Sequence, residues 1–232
     1  KRWDLAEFER RGKEFVEAAN PPGERQLVFF ANYVDMTILR RSVGVSVFNE
    51  TLTACALDDP AYVNILGRVY RWTNEDHIMP TESDRQAFST EAGYAGSTLQ
   101  LFNSGNYAMF QMGRYALIQL REFEPPLKLD VVEPPHGGFP NTTVSTRCAG
   151  IYAGGEHKDL AKYFLAFLAS EEYNMNIVQD ADALPPNPEF TALEEFRRPP
   201  AHPNEWSCHV TFANAAKEIA VGGCYSPFII PA

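Results

Sequence analysis

The residue types that most often carry enzyme chemistry are present, but their spacing does not form a recognisable catalytic site. Cys208 is followed directly by His209, a pair that could act as a thiol nucleophile and its base. Residues adjacent in sequence rarely face each other, and the sequence offers no third group to orient the imidazole. We therefore expect no thiol enzyme here, and no bound cofactor.

Metal-ligating and acid–base residues are likewise scattered. The five histidines never occur four residues apart beside a pair of carboxylates, which is the helical pattern of a zinc hydrolase. Adjacent carboxylates, such as Asp58 with Asp59 and Glu194 with Glu195, are most simply helix caps or solvated faces. The sequence therefore favours a protein that is not an enzyme and holds no metal.

Charge and hydrophobic patterning exclude two further classes of protein. The 232 residues include 30 acidic and 20 basic side chains, a formal net charge of −10 that repels phosphate backbones. The basic residues form no stripe, so a nucleic-acid partner is not expected. No apolar run approaches the 18 or so residues that a membrane span needs.

The four cysteines leave two interpretations open. Cys55, Cys148, Cys208 and Cys224 are too few and too widely spaced for a disulfide framework. They fit buried apolar thiols. The alternative is a disulfide between Cys208 and Cys224 in an oxidising compartment.

Helical and extended segments alternate along the chain, which predicts an α/β architecture with helices packed on a central sheet. Asp4 to Glu7 resembles a capping box that opens an amphipathic helix, and Asp59 with Pro60 opens a second. Gly105 is predicted to end a helix in the left-handed conformation. Further helices are expected at 94–103, 114–121 and 159–169, and extended segments at 26–30, 107–112, 127–132 and 144–152.

One motif connects these elements to a known family. Residues 102–115 read F-N-S-G-N-Y-A-M-F-Q-M-G-R-Y, which resembles the pattern F-x-x-G-x-x-A-M-x-x-x-G-x-[WY] of family-1 extracellular solute-binding proteins. Four further pieces occur in the family's order. They are the Trp3-Asp4 helix start, the Val131 to Pro135 segment, the helix from Asp159 to Leu168, and Leu184-Pro185 after a Ser-Glu-Glu helix.

The resemblance implies a fold and a division into lobes. The expected fold is α/β and periplasmic-binding-protein-like (type II), a layered sheet with helices on both faces, as in maltodextrin-binding proteins. Residues 1–135 and 204–232 would belong mainly to the C-terminal lobe, and 140–185 would form a crossover strand and helix packed on a first lobe. In the family that first lobe precedes the opening Trp3 helix, and a further helix follows the point at which this sequence ends. We therefore expect weak sugar binding by these 232 residues alone.

The resemblance also implies a function. The chain would be the substrate-binding component of an ABC importer for carbohydrates, which binds a sugar or oligosaccharide in a cleft between lobes and delivers it to a membrane permease. It would be a monomer, periplasmic or extracellular, with a lipid anchor in the full-length protein. The alternative is an interaction or sensory module that keeps the scaffold without transport.

A sugar-binding protein of this kind needs aromatic rings for the C–H faces of the sugar and planar polar groups for its hydroxyls. By resemblance, Tyr33, Tyr115 and Trp206 match aromatic positions that stack on sugar rings in maltodextrin binders. Gly113 is expected to let the backbone turn tightly beside them. The predicted hydrogen-bonding side chains are Asn32, Asp35 and Arg114.

Overall fold

The computed structural model describes residues 3–24, 26–88, 96–146 and 148–223. The chain forms two compact units. Unit 1 contains Lys1–Gln111, Val132–Thr143 and Ile219–Ala232; unit 2 contains Met112–Val131 and Val144–Glu218. The boundaries of these two units differ from those of the predicted C-terminal lobe and crossover segment, and that division stays a prediction.

Unit 1 combines helices with short parallel strands. Its helices are α1 (Leu5–Ala19), α2 (Met36–Ser42), α3 (Pro60–Asn74), α4 (Glu82–Ala87) and α5 (Gly96–Asn103). Its strands are β1 (Phe29–Ala31), β2 (Tyr107–Met109), β3 (Thr142–Thr143) and β4 (Ala220–Val221). Strands β1 and β2 pair in parallel with Phe29 opposite Tyr107, and β3 pairs in parallel with β4.

The regular elements in the described part of unit 2 are all helices. Its helices are α6 (Ala116–Leu120), α7 (Lys158–Phe167), α8 (Glu171–Asp180), α9 (Glu194–Arg197) and α10 (Trp206–Glu218). Single 3-10 turns at Pro188–Ala192 and Pro203–Glu205 precede α9 and α10.

Aromatic side chains form the core of unit 1. The ring of Phe8 on α1 lies 5.0 Å from that of Trp72 on α3 and 5.4 Å from that of Phe30 on β1. Trp72 is fully buried, and its indole N–H donates to Glu9, whose carboxylate also accepts from Arg68. Since a buried indole N–H needs a partner, this carboxylate allows the largest side chain of the core to be enclosed.

The predicted helix ends are confirmed. The Asp4 side chain accepts a hydrogen bond of 2.8 Å from the Glu7 N–H at the start of α1. Asp59 caps α3 with Pro60 in the first turn. Gly105 follows α5 with φ of +83°, the left-handed conformation that glycine adopts without strain.

Other elements differ from the prediction. The strands at 26–30 and 107–112 are shorter, and α2 was not predicted. The residues described within 127–132 and 144–152 form no strand. Helix α7 lies where the helix at 159–169 was expected, but none of its residues is buried, so its apolar side is exposed.

The cysteines follow neither interpretation uniformly. Cys208 is buried, whereas Cys55 and Cys148 are exposed. Cys224 lies outside the described residues, as does the alternative that pairs it with Cys208. Among the residues that the structure describes, no helix is long and apolar enough to cross a membrane.

Candidate ligand-binding surfaces

The predicted site residues of unit 1 lie where β1 and β2 end. Asn32 follows β1, and its side-chain oxygen accepts from the Gln111 N–H at 3.1 Å. The Gln111 side-chain oxygen in turn accepts from the Asp35 N–H at 2.8 Å. Because each amide binds the backbone of the other segment, the two strand ends are fixed to each other. Tyr33, held between Asn32 and Asp35, is 41% exposed.

The carboxylate of Asp35 has a local structural role. One of its oxygens accepts from the N–H groups of Thr37 and Ile38, which makes Asp35 the N-cap of α2. Asn32 is 6% exposed, and its backbone carbonyl oxygen accepts from the Arg85 guanidinium. Both residues therefore hold the segment that presents Tyr33.

In unit 2, Gly113 makes room for the ring of Tyr115. A side-chain Cβ at Gly113 would lie 2.9 Å from Cε1 of Tyr115, closer than packed atoms approach. Tyr115 immediately precedes α6 and is 36% exposed, so the ring rests against the glycine backbone with part of its surface in solvent. The requirement for glycine here comes from this ring.

Arg114 does not have the role predicted for it. It is 4% exposed, and its guanidinium donates to the carbonyl oxygens of Ile177, Val178 and Ala183. The first two belong to the last turn of α8, which contains no basic residue of its own. Arg114 thus supplies both the donors and the positive charge that a helix C-terminus favours. Its hydrogen-bonding capacity is used inside unit 2, which corrects its assignment as a ligand contact.

The charge of Arg114 survives this burial. Desolvation, followed by repulsion from Arg121, lowers the pKa of Arg114 to about 10, which still leaves a cation at neutral pH. Its guanidinium carbon lies 4.6 Å from the centre of the Phe196 ring, a cation–π contact.

A buried ion pair lies close by. Glu205, 4% exposed, accepts from Arg121 through both carboxylate oxygens at 2.9–3.2 Å. Burial pushes the pKa of Glu205 up, but the His209 imidazole and the Arg121 guanidinium outweigh that effect and hold the pKa below its ordinary value. Nε2 of His209 lies 3.4 Å from the carboxylate, in an alignment too poor for a hydrogen bond.

Trp206 is the first residue of α10 and is 39% exposed. Its indole N–H donates to the carbonyl oxygen of Pro199 at 3.0 Å, and the Arg198 guanidinium lies 5.8 Å from the ring centre. The proline-rich segment before α10 therefore fixes the plane of the indole.

Sequence reasoning missed two contributors, Gln111 and Glu205. Gln111 stands inside the 102–115 motif, so its position was visible, but its partner Asn32 is 79 residues away along the chain. Glu205 directly precedes a predicted site residue. The sequence near Trp206 does not indicate that Glu205 is buried, because its partner Arg121 lies 84 residues earlier in the chain.

The Cys208–His209 pair has no geometry for nucleophilic catalysis. Both side chains are fully buried. Burial raises the pKa of the Cys208 thiol to about 11, so the reactive thiolate is scarce at neutral pH.

Solved structures show the same fold. An ABC substrate-binding protein from Listeria monocytogenes in complex with cycloalternan matches with a TM-score of 0.70 at 19% identity, over 95% of this chain and 53% of that one. The maltose/maltodextrin-binding domain MalE of Bdellovibrio bacteriovorus bound to maltotriose matches with a TM-score of 0.70 at 15% identity, over 98% and 57%. Maltose-bound MalE3 of T. maritima matches with 0.68 at 18% identity, over 97% and 56%.

These likenesses confirm the predicted fold class, and the chain spans little more than half the length of each of the three structures. No curated protein sequence matches significantly. The family model described as "Bacterial extracellular solute-binding protein" matches residues 23–204, most of the chain. The protein therefore belongs to the bacterial extracellular solute-binding protein family.

Proposed function

We propose that the protein binds a saccharide as the substrate-binding component of an ABC importer. The observation that carries this proposal is the state of the three aromatic rings at Tyr33, Tyr115 and Trp206. Each ring is between 36% and 41% exposed, and each stands in a segment held by buried polar groups. A fixed, half-exposed ring can stack on the C–H face of a sugar with little loss of side-chain entropy.

The structural neighbours support the same ligand class. Those three proteins were solved with cycloalternan, maltotriose and maltose respectively. In our proposal Tyr33, Tyr115 and Trp206 contact the sugar. Asn32, Asp35 and Gly113 act by holding or accommodating these rings.

The test is calorimetric titration of the full-length gene product with a panel of neutral oligosaccharides and uronic acids. Replacing Tyr33, Tyr115 or Trp206 by Ala should weaken binding about tenfold, equivalent to ~1.4 kcal/mol, because a stacking surface is lost. Tyr70 is a matched control, an exposed aromatic on α3 outside the proposed surfaces, and its replacement by Ala should leave affinity unchanged. A folded protein that binds no member of the panel would refute the proposal.

Delivery to a membrane permease is the second part of the proposal. Membership of an extracellular solute-binding family supports it, as does the structural likeness to an ABC substrate-binding protein from Listeria. We expect the gene to lie beside genes for membrane permease subunits. Deleting it should abolish uptake of the sugar that the calorimetric panel identifies. Unchanged uptake in the deletion strain would argue instead for a sensory role.

The assignment of residues 140–185 to a crossover that packs on another lobe is also part of the proposal. The exposed apolar side of α7 supports it, since Leu160, Tyr163 and Phe164 are 60–76% exposed. Replacing Phe164 by Ser should leave the stability of these 232 residues within about 0.5 kcal/mol. The same change should destabilise a longer gene product that covers this face. Equal effects in both proteins would contradict the assignment.

A further inference from the structure

Four charged or polar side chains inside unit 2 form one connected network. Arg114 donates from Nε to Nδ1 of His209 at 3.2 Å. His209 Nε2 lies 3.4 Å from Glu205, which receives the bidentate pair from Arg121. Arg114, Glu205 and His209 are each at least 96% buried, and the Arg121 side chain is 13% exposed. The proposed function uses none of these four side chains as a ligand contact.

The network is attached to both aromatic rings proposed for unit 2. Arg114 directly precedes Tyr115, and Glu205 directly precedes Trp206. Arg121 also donates to the Gln179 carbonyl oxygen, so Arg114 and Arg121 together satisfy three successive carbonyls at the end of α8. The backbone that carries each ring is thereby tied to the same helix end.

His209 is the link between the two halves of the network, and its protonation state follows from its partners. An arginine Nε–H can only donate, so Nδ1 of His209 must carry a lone pair. In the neutral imidazole the ring proton is then on Nε2, facing the Glu205 carboxylate. A proton added to Nδ1 would point at the Nε–H of Arg114. Two N–H donors would then face each other, and the hydrogen bond to Arg114 would break.

The charged groups around His209 come from several elements. Arg114 and Arg121 flank α6, and Glu205 ends the 3-10 turn that precedes α10. His202 lies 4.0 Å from the Glu205 carboxylate, and Asp182, which follows α8, acts electrostatically on Arg114. Glu205 is the anion that faces the imidazole of His209, and Arg114 and Arg121 are the neighbouring cations.

We propose that Arg114, Arg121, Glu205 and His209 are positioning residues that fix the rings of Tyr115 and Trp206, and that the network is intact only while His209 is neutral. One consequence, that sugar affinity falls on acidification, rests on the proposed function. The positioning itself does not require that a sugar binds.

Two amide substitutions separate the two contacts of His209. His209→Asn places a carbonyl oxygen near the position of Nδ1, so it can still accept from Arg114 but cannot take up a proton. His209→Gln places an amide N–H near the position of Nε2, so it keeps an N–H facing Glu205 but no longer accepts from Arg114. Both variants are first checked for folding by far-ultraviolet circular dichroism.

The primary readout is fluorine NMR of protein labelled with fluorotryptophan. The Trp206 resonance is identified by its absence in Trp206→Phe, and Trp3 and Trp72, both in unit 1, serve as internal references. We expect the Trp206 resonance of the ligand-free protein to shift when acidification adds a proton to Nδ1 of His209 and breaks its bond to Arg114. The shift should disappear in His209→Asn and persist in His202→Gln, which controls for titration of the neighbouring imidazole.

The secondary readout is affinity for maltotriose in the full-length gene product. Affinity should fall with pH over the range of the Trp206 shift in the wild type and stay constant in His209→Asn. His209→Gln should bind weakly at all pH values, because it lacks the Arg114 acceptor. A merely structural role would lower the melting temperature of the variants and leave the affinity of the folded protein unchanged.

Two results would overturn the inference. One is a Trp206 resonance that does not respond to pH, and the other is a response that His209→Asn retains. A pH response that depends on His209 supports the positioning role even if maltotriose fails to bind. Failure of this inference and failure of the proposed function are therefore separate outcomes.

Discussion

Two glycines in unit 1 should respond in opposite directions to the same substitution. Gly12 is the eighth of 15 residues in α1, and Gly67 is the eighth of 15 in α3. Helix propensity alone predicts that Ala in place of either glycine stabilises the protein by ~1 kcal/mol. Their surroundings differ, because Gly12 is buried and faces Ile78, a core residue in the loop after α3.

The magnitude at Gly12 follows from the contacts of the added methyl group. A Cβ at Gly12 would lie 2.7–3.0 Å from three side-chain carbons of Ile78, which is fully buried. Overpacking of this kind costs ~1–3 kcal/mol and exceeds the gain in propensity. At Gly67 the nearest atom is an Arg71 guanidinium nitrogen at 3.9 Å, an ordinary contact. We expect Gly12→Ala to destabilise unit 1 by ~1 kcal/mol and Gly67→Ala to stabilise it by a similar amount.

Urea unfolding followed by circular dichroism and tryptophan fluorescence measures both changes. A third comparison isolates the contact with Ile78. In an Ile78→Ala background the three crowding carbons are gone, so Gly12→Ala should become stabilising by ~1 kcal/mol. If Gly12→Ala and Gly67→Ala stabilise the protein equally, the close packing of α1 against Ile78 is refuted.

Three further predictions concern individual groups. Asp35→Ala should lower the free energy of unfolding by ~1 kcal/mol because α2 loses its N-cap, while Asp35→Ser should retain most of the stabilisation from the cap. Urea unfolding of the two variants measures both values, and equal losses would contradict the capping role. In a Cys224→Ser variant, Ellman's reagent should modify the two exposed cysteines of the native protein and reach Cys208 only after unfolding, and rapid modification of all three thiols would contradict its burial. Because the folded pKa of Glu205 lies below the ordinary 4.5, its stabilisation is complete above about pH 4.5 and lost as pH falls through the folded value. The melting temperature of Glu205→Gln should therefore fall less steeply with acid than that of the wild type, although the variant is less stable at neutral pH because Arg121 loses its counter-charge.

Local chemistry explains what could be predicted from the sequence. Asp4 and Asp59 open helices because a carboxylate satisfies N–H groups two or three residues away, and Gly105 ends one because a left-handed residue is needed there. The strands required information from elsewhere. The bounds of β1 are set by its pairing with β2, in which Phe29 lies opposite Tyr107, 78 residues further along the chain. Nothing in the sequence near Gln26 indicates where that pairing starts.

Arg114 shows why site residues are harder to predict than helix ends. Its place beside Gly113 and Tyr115 in a recognisable motif suggested a ligand contact, since buried arginines are rare. Its burial depends on carbonyl oxygens more than 60 residues away at the end of α8, and on His209, 95 residues away. The same distant partners tie the backbone of Arg114 to the end of α8 immediately before the half-exposed ring of Tyr115. The motif drew attention to Arg114, whereas its buried guanidinium holds the segment in place. In our proposal it is the neighbouring half-exposed ring of Tyr115 that contacts a sugar.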